Sequence, residues 1–241
     1  MRILLWALGA LVIILVFGGV ALQLAISRNG PAVLDTGDRL TGGSQGAIKR
    51  ATISTGEHPA QKLVVWGPES RSPDDPPLPV IVFAHGSWRA GDPEDYGFLA
   101  RAFVPRGFVV VLAGYRLVKE SAPDGVYPAM IEDTARVVQW THEEIAQYGG
   151  DPSRITLAGH SAGAYNVVMT TFETSWLARQ GIDSNTLAGV VGLSGPYDFY
   201  PFDSESTIAA FGPASDPEAT QVFNHVRSDA PPTLLIHGEK V

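Results

Sequence analysis

Five short apolar runs constrain this chain more than any other feature. Val80-Ile81-Val82-Phe83, Phe108 to Leu112, Ile155 to Ala158, Gly189 to Leu193 and Thr233 to Ile236 carry almost no polar residue. Strands buried on both faces read this way, and they occur in parallel sheets covered on each side. Helical stripes fall between the runs. Pro128 opens a segment in which Thr134, Val137, Val138, Thr141, Ile145 and Tyr148 recur at helical spacing, ended by Gly149-Gly150-Asp151-Pro152. A second helix is expected after Ser161, with Ala164, Val167, Val168 and Phe172 on one face, and a third from about Pro217 to Val226. Ala47 to Ser54 and Gln61 to Trp66 predict two further strands joined by a turn at Gly56-Glu57-His58-Pro59. Gly67 to Pro79 holds five prolines and reads as an exposed loop. The fold class is α/β, a mostly parallel sheet with helices on both faces.

Ahead of this domain, Ile3 to Leu22 is an unbroken run of apolar residues and glycine. Twenty helical residues span about 30 Å, the thickness of a bilayer core. Arg2 precedes the run and Trp6 lies near its end, so an N-terminal transmembrane helix is expected. A cleaved signal peptide is the alternative, with small residues at Gly19-Val20-Ala21. Both put the rest of the chain outside the cytoplasm, either anchored and facing the periplasm or cell exterior, or secreted. The expected organisation is 1–27 signal anchor or signal peptide, 28–46 tether, and 47–241 α/β domain. Lys and Arg number 17 against 25 Asp and Glu, a net charge of −8 that argues against a nucleic-acid partner. The absence of cysteine excludes a disulfide, a thiolate metal site and a cysteine nucleophile. Neither metal-ligand spacing nor a phosphate-cradling loop occurs, so no cofactor is expected.

Gly159-His160-Ser161-Ala162-Gly163 carries the chemistry. A strand runs into it and a helix leaves it, which is the setting of a nucleophile elbow. There Ser161 is lifted above the sheet over a helix N-terminus, where developing negative charge is favoured. His85-Gly86-Ser87-Trp88 directly follows another strand. Acyl transfer needs N–H donors aimed at a tetrahedral oxyanion, and such a loop supplies them together with the N–H after the nucleophile. The candidate donors are the N–H groups of Ser87, Trp88 and Ala162. His85 reads as a loop-orienting residue rather than a base. Arg116 and Asp133 read as a structural ion pair.

Three passages carry a wider likeness: "HGSWRAGDPEDYGFLARAFVPRGFVVVLAGYRL", "YPAMIEDTARVVQWTHEEIAQYGGDPSRITLAGHSAG" and "LSGPYDF". On these the chain resembles the α/β-hydrolase superfamily, in its carboxylesterase and arylformamidase-like branch related to hormone-sensitive-lipase-type esterases. The likeness covers about residues 47 to 238. It implies a serine hydrolase of small-molecule carboxylic esters, or of an N-formyl amide or peptide, working through an acyl-enzyme on Ser161. Such families usually carry H-G-G-x-W where this chain has His85-Gly86-Ser87-Trp88, which puts a side chain near the oxyanion.

The order in this fold is nucleophile, acid, then histidine. The resemblance puts the acid about three residues after Gly238, where the chain has Glu239, Lys240 and Val241. The expectation is therefore a domain incomplete at its C-terminus, lacking the last strand, the last helix and the catalytic histidine. Asp198 and Glu239 remain as weak alternative acids. His58, His142, His160, His225 and His237 read as surface, loop or structural residues. The second functional expectation is a catalytically silent, truncated hydrolase that binds an acyl ligand or a partner.

Overall fold

The computed structural model of the chain describes residues 2–43, 46–72, 74–119 and 123–238, without the side chains of 2–5, 7–10, 12–13 and 123. The chain divides into two compact units, 1–43 and 44–241.

The first unit is one helical segment, α1 (Arg2–Leu40), interrupted at Asn29, whose φ of −155° and ψ of 80° are not helical. Asn29 Oδ1 accepts the N–H of Ala32 at 3.1 Å and so caps a second helical stretch. Pro31 falls in the first turn of that stretch, where its missing N–H costs nothing. The expected tether over 28–46 is therefore helical through Leu40. The expected N-terminal transmembrane helix is not borne out either: among the described residues no helix is long and apolar enough to cross a membrane. Much of the Ile3–Leu22 run, residues 3–5, 7–10 and 12–13, lies outside the described side chains.

The second unit is built on a seven-stranded sheet. Its strands are β1 (Ala47–Ser54), β2 (Lys62–Pro68), β3 (Leu78–Ala84), β4 (Val109–Ala113), β5 (Gly150–His160), β6 (Gly189–Leu193) and β7 (Thr233–Ile236). The order across the sheet is β1-β2-β4-β3-β5-β6-β7. The hairpin β1–β2 and the β2–β4 pair are antiparallel, and β4, β3, β5, β6 and β7 are mutually parallel. Alternate residues of a strand face opposite sides. Val80 and Val82 accordingly join Met130, Val137, Tyr165 and Val168 on one face, beneath α3 (Ala129–Glu144) and α4 (Ala162–Phe172). Ile81 and Phe83 join Ala100 and Val104 on the other, beneath α2 (Gly97–Phe103). Two short helices, α5 (Ser175–Ala178) and α6 (Glu205–Phe211), complete the unit.

All seven expected strands are present, as are the helices after Pro128 and Ser161. The helix expected over Pro217 to Val226 is instead a pair of 3₁₀ turns, Glu218–Thr220 and Val222–His225, separated by extended Gln221. The Gln221 amide explains the break, because its Oε1 accepts the N–H of Phe199 at 2.7 Å. β7 also departs from expectation. Among the described residues it pairs with β6 alone, and all four of its residues are exposed, against the expected burial on both faces.

Candidate active site

The parallel strands all end on the same side of the sheet, and the candidate residues Ser161, Ser87, Trp88 and Ala162 follow strand ends there. β5 stops at His160, and Ser161 turns the chain into α4. Its backbone sits at φ +53°, ψ −117°, a region that costs a residue with a side chain about 1–3 kcal/mol. Three contacts hold the turn. Ser161 N–H donates to Leu193 O at 2.8 Å, and Tyr165 N–H donates to Ser161 O at 3.1 Å. The third is steric: a Cβ at Gly163 would run into the Ala84 and His85 carbonyls, and one at Gly159 into the Gly163 carbonyl. Only glycine lets α4 approach the strands this closely, which is why both flanks of the elbow are glycine.

The His85–Trp88 loop leaves β3 next to this turn. A Cβ placed on Gly86 would sit 3.6 Å from Ser161 Cβ, so the loop and Ser161 are neighbours. Among the described residues, the N–H groups of Ser87, Trp88 and Ala162 donate to no protein acceptor. Ala162 is the first residue of α4, so its N–H belongs to the free N-terminal set of that helix. Ser87 adopts a left-handed φ of +72°. Its hydroxyl accepts the N–H groups of Arg89 (3.2 Å) and Ala90 (3.1 Å). The Ser87 side chain is thus occupied within its own turn. Trp88 is buried; its Nε1 donates to Asn166 Oδ1 on α4 at 3.2 Å, and its ring meets Tyr165 and Phe211 edge-on.

His85 is buried at 1% exposure and stacks on Tyr115, with ring centroids 4.3 Å apart. Its Nδ1 lies 3.0 Å from Gly86 O. Burial holds the imidazole below its ordinary value of 6.5, against the opposing pull of the Gly86 carbonyl and of Asp92 and Asp95. The neutral ring is thus favoured, and it contacts the loop that it begins. The sign of the linkage follows. Just below pH 6.5 the unfolded chain binds a proton that the native state refuses, so stability falls on acidification until the native value is reached. The slope is at most about 1.4 kcal/mol per pH unit. His85→Asn should remove that component, to be read as urea-unfolding free energies of parent and variant at pH 7.5, 6.5 and 5.5. Parallel profiles would contradict it.

None of the six histidines is hydrogen-bonded to Ser161. His160 is exposed beside Gly86, and His142 and His237 are exposed. His58 Nδ1 accepts the Ala60 N–H, and His225 Nε2 is bonded to Ala219 O. Asp198 follows β6 but is exposed, with no bond to any histidine. Glu239 lies outside the described residues. Arg116 and Asp133 form the expected ion pair. Arg116 Nε and Nη2 grip the two carboxylate oxygens at 2.8 and 2.9 Å, raising the guanidinium further above its ordinary value.

Residues 68–240 match the BD-FAE family. The chain belongs to that family, which is an α/β-hydrolase, carboxylesterase-like one. Esterase LipQ of Mycobacterium tuberculosis is 31% identical over 200 residues, covering 74% of this chain and 45% of LipQ. Kynurenine formamidase of Danio rerio is 34% identical over 150 residues, covering 62% of this chain and 46% of that enzyme. The chain thus spans about half the length, or less, of the curated relatives it matches. Esterase B of Lactobacillus rhamnosis superposes with a TM-score of 0.67 at 19% identity, covering 90% of this chain and 74% of that one. At that identity it establishes the α/β-hydrolase fold. The positions that sequence reasoning missed in this BD-FAE site are Tyr96, Tyr115 and Asn166, each of which contacts the loop from beneath or beside it. Nothing in the local pattern marks them, because their roles depend on which strands become neighbours.

Proposed function

We infer that the protein is a serine hydrolase of small-molecule carboxylic esters, acting through an acyl-enzyme on Ser161. The observation that carries this is the strained backbone of Ser161 above the N-terminus of α4, next to a loop with unengaged N–H groups. In this reading Ser161 Oγ attacks the ester carbonyl carbon. The Ser87, Trp88 and Ala162 N–H groups receive the resulting oxyanion. On its collapse the ester C–O bond breaks, and the alkoxide leaves as the alcohol with the proton that Ser161 gave up. Water then adds to the acyl-enzyme, and the acid departs as Ser161 regains a proton. The positive end of α4 adds to the stabilisation. The relatives named esterase and carboxylesterase favour an ester over the formamide that the formamidase name suggests, and they favour catalysis over silent binding.

An acyl-enzyme mechanism predicts a burst of p-nitrophenol when the full-length protein meets p-nitrophenyl butyrate under conditions where deacylation is slow. The burst should approach one equivalent per active chain. Hydrolysis without any burst when quench-flow samples carry no acyl mass adduct would contradict a covalent intermediate.

A further inference from the structure

We propose that the Tyr115 hydroxyl is a positioning residue that, together with His85, orients the Ser87 and Trp88 N–H groups toward the reacting carbonyl. The proposal rests on the reading of Ser161 and this loop as nucleophile and oxyanion site.

The argument is peptide geometry. In a trans peptide the C=O and N–H point in opposite directions, and the peptides of this loop are trans. Whatever holds the carbonyl of one residue therefore aims the N–H of the next. Tyr115 is fully buried, and its hydroxyl reaches His85 O at 2.7 Å and Ser87 O at 3.0 Å, sharing one proton between them. Holding Ser87 O inward turns the Trp88 N–H outward. His85 Nδ1 lies 3.0 Å from Gly86 O, and holding that oxygen turns the Ser87 N–H outward. The peptide before these is fixed at both ends, since Gly86 N–H donates to the Tyr96 hydroxyl at 3.2 Å. The peptide after them is held by the Val118 N–H, which donates to Trp88 O at 2.7 Å. Four successive carbonyls are thus engaged, while the N–H groups of two of these peptides carry no partner among the described residues. The ring stack of His85 on Tyr115 fixes the two donors relative to each other.

The donors also keep their protons. Burial pushes the Tyr115 hydroxyl well above its ordinary 10, so it donates at any working pH. Ser87 supports the same picture from the other side. Its left-handed φ is the strain the loop bears to present both N–H groups in one direction.

The experiment is the rate of fluorophosphonate labelling of the full-length protein, because the phosphoryl oxygen of that probe sits where the oxyanion would. Tyr115→Phe keeps the ring and its stack and removes only the hydroxyl. Losing one oxyanion donor costs about 10²–10³ in rate, so a misaimed donor should lower the maximal labelling rate by about 10- to 100-fold. The half-saturating probe concentration should stay within about twofold, since the probe's own contacts are untouched. A variant weakened only in folding would lose active fraction and not the rate per folded molecule, so the labelled end-point is measured alongside. If Tyr115→Phe fails to fold, His85 decides the matter. His85→Asn restores a donor near the Nδ1 position and should label at least about tenfold faster than His85→Leu. Parent-like labelling by folded Tyr115→Phe overturns the proposal, as do equal rates for the two His85 variants. Ser161→Ala separates the two levels. If it still labels, the nucleophile assignment fails; if it does not while Tyr115→Phe labels normally, only the positioning role fails.

Discussion

Ser161→Ala should lower ester turnover by the full-length protein about 10⁴- to 10⁶-fold, leaving only what the loop and binding supply, roughly 10³ over water. The substitution removes one oxygen at a half-buried position. Alanine suffers the same left-handed strain that serine does at φ +53°, so the turn has no new reason to change. The fall should therefore appear in kcat with the thermal midpoint within a few degrees of the parent. A midpoint that held while kcat stayed near the parent value would remove Ser161 from the mechanism.

Asp133→Ala should cost the second unit about 3–5 kcal/mol, as breaking one half of a buried ion pair does. Asp133 is completely buried on α3. Four donors converge on it: Arg116 N–H at 2.9 Å, Arg116 Nε at 2.8 Å, Arg116 Nη2 at 2.9 Å and Gln61 Nε2 at 2.7 Å. Removing the carboxylate takes this acceptor from the Gln61 amide and from the Arg116 N–H and Nε, while Arg116 Nη2 keeps Ala129 O and Glu132. It also unties the residue before β2, the segment after β4, and α3 from one another. In a domain near two hundred residues, each kcal/mol moves the midpoint by about 2–4 °C, so a fall of roughly 6–20 °C is expected in thermal unfolding. A shift below about 2 °C would show that the network contributes little. Arg116 also follows Tyr115 in the chain, so this anchor fixes the segment that underlies the His85–Trp88 loop.

How much of this was legible in the sequence differs by element. The strands were, because Val80 to Phe83 and Phe108 to Leu112 can be continuously apolar only where both faces are covered. The elbow was, because Gly159 and Gly163 lie at a spacing that admits close contact between a strand and a helix. α2 escaped because seven residues beginning at Gly97 give too few turns for a periodic signal. α6 carried one unread sign, the Ser204 and Thr207 capping box. The kinked helix through 28–40 was hidden by Asn29, Gly30 and Pro31, residues that suit a loop equally well until the Asn29 cap is seen. The exposure of β7 could not be read from Thr233-Leu234-Leu235-Ile236, because composition reports what a strand is suited to and not whether something covers it. Tyr115, Tyr96 and Asn166 were silent for a different reason. Their hydrogen bonds join segments as far as 78 residues apart, and local spacing carries no record of that.

The central claim, that Ser161 is the nucleophile beside an oxyanion site, is tested most directly by locating a covalent adduct. The full-length protein is incubated with excess fluorophosphonate, digested, and its modified peptides are sequenced by mass spectrometry. The account predicts one adduct per chain, on Ser161, and none in Ser161→Ala. An adduct at another residue, or an unmodified Ser161 in folded protein after prolonged exposure, would contradict it.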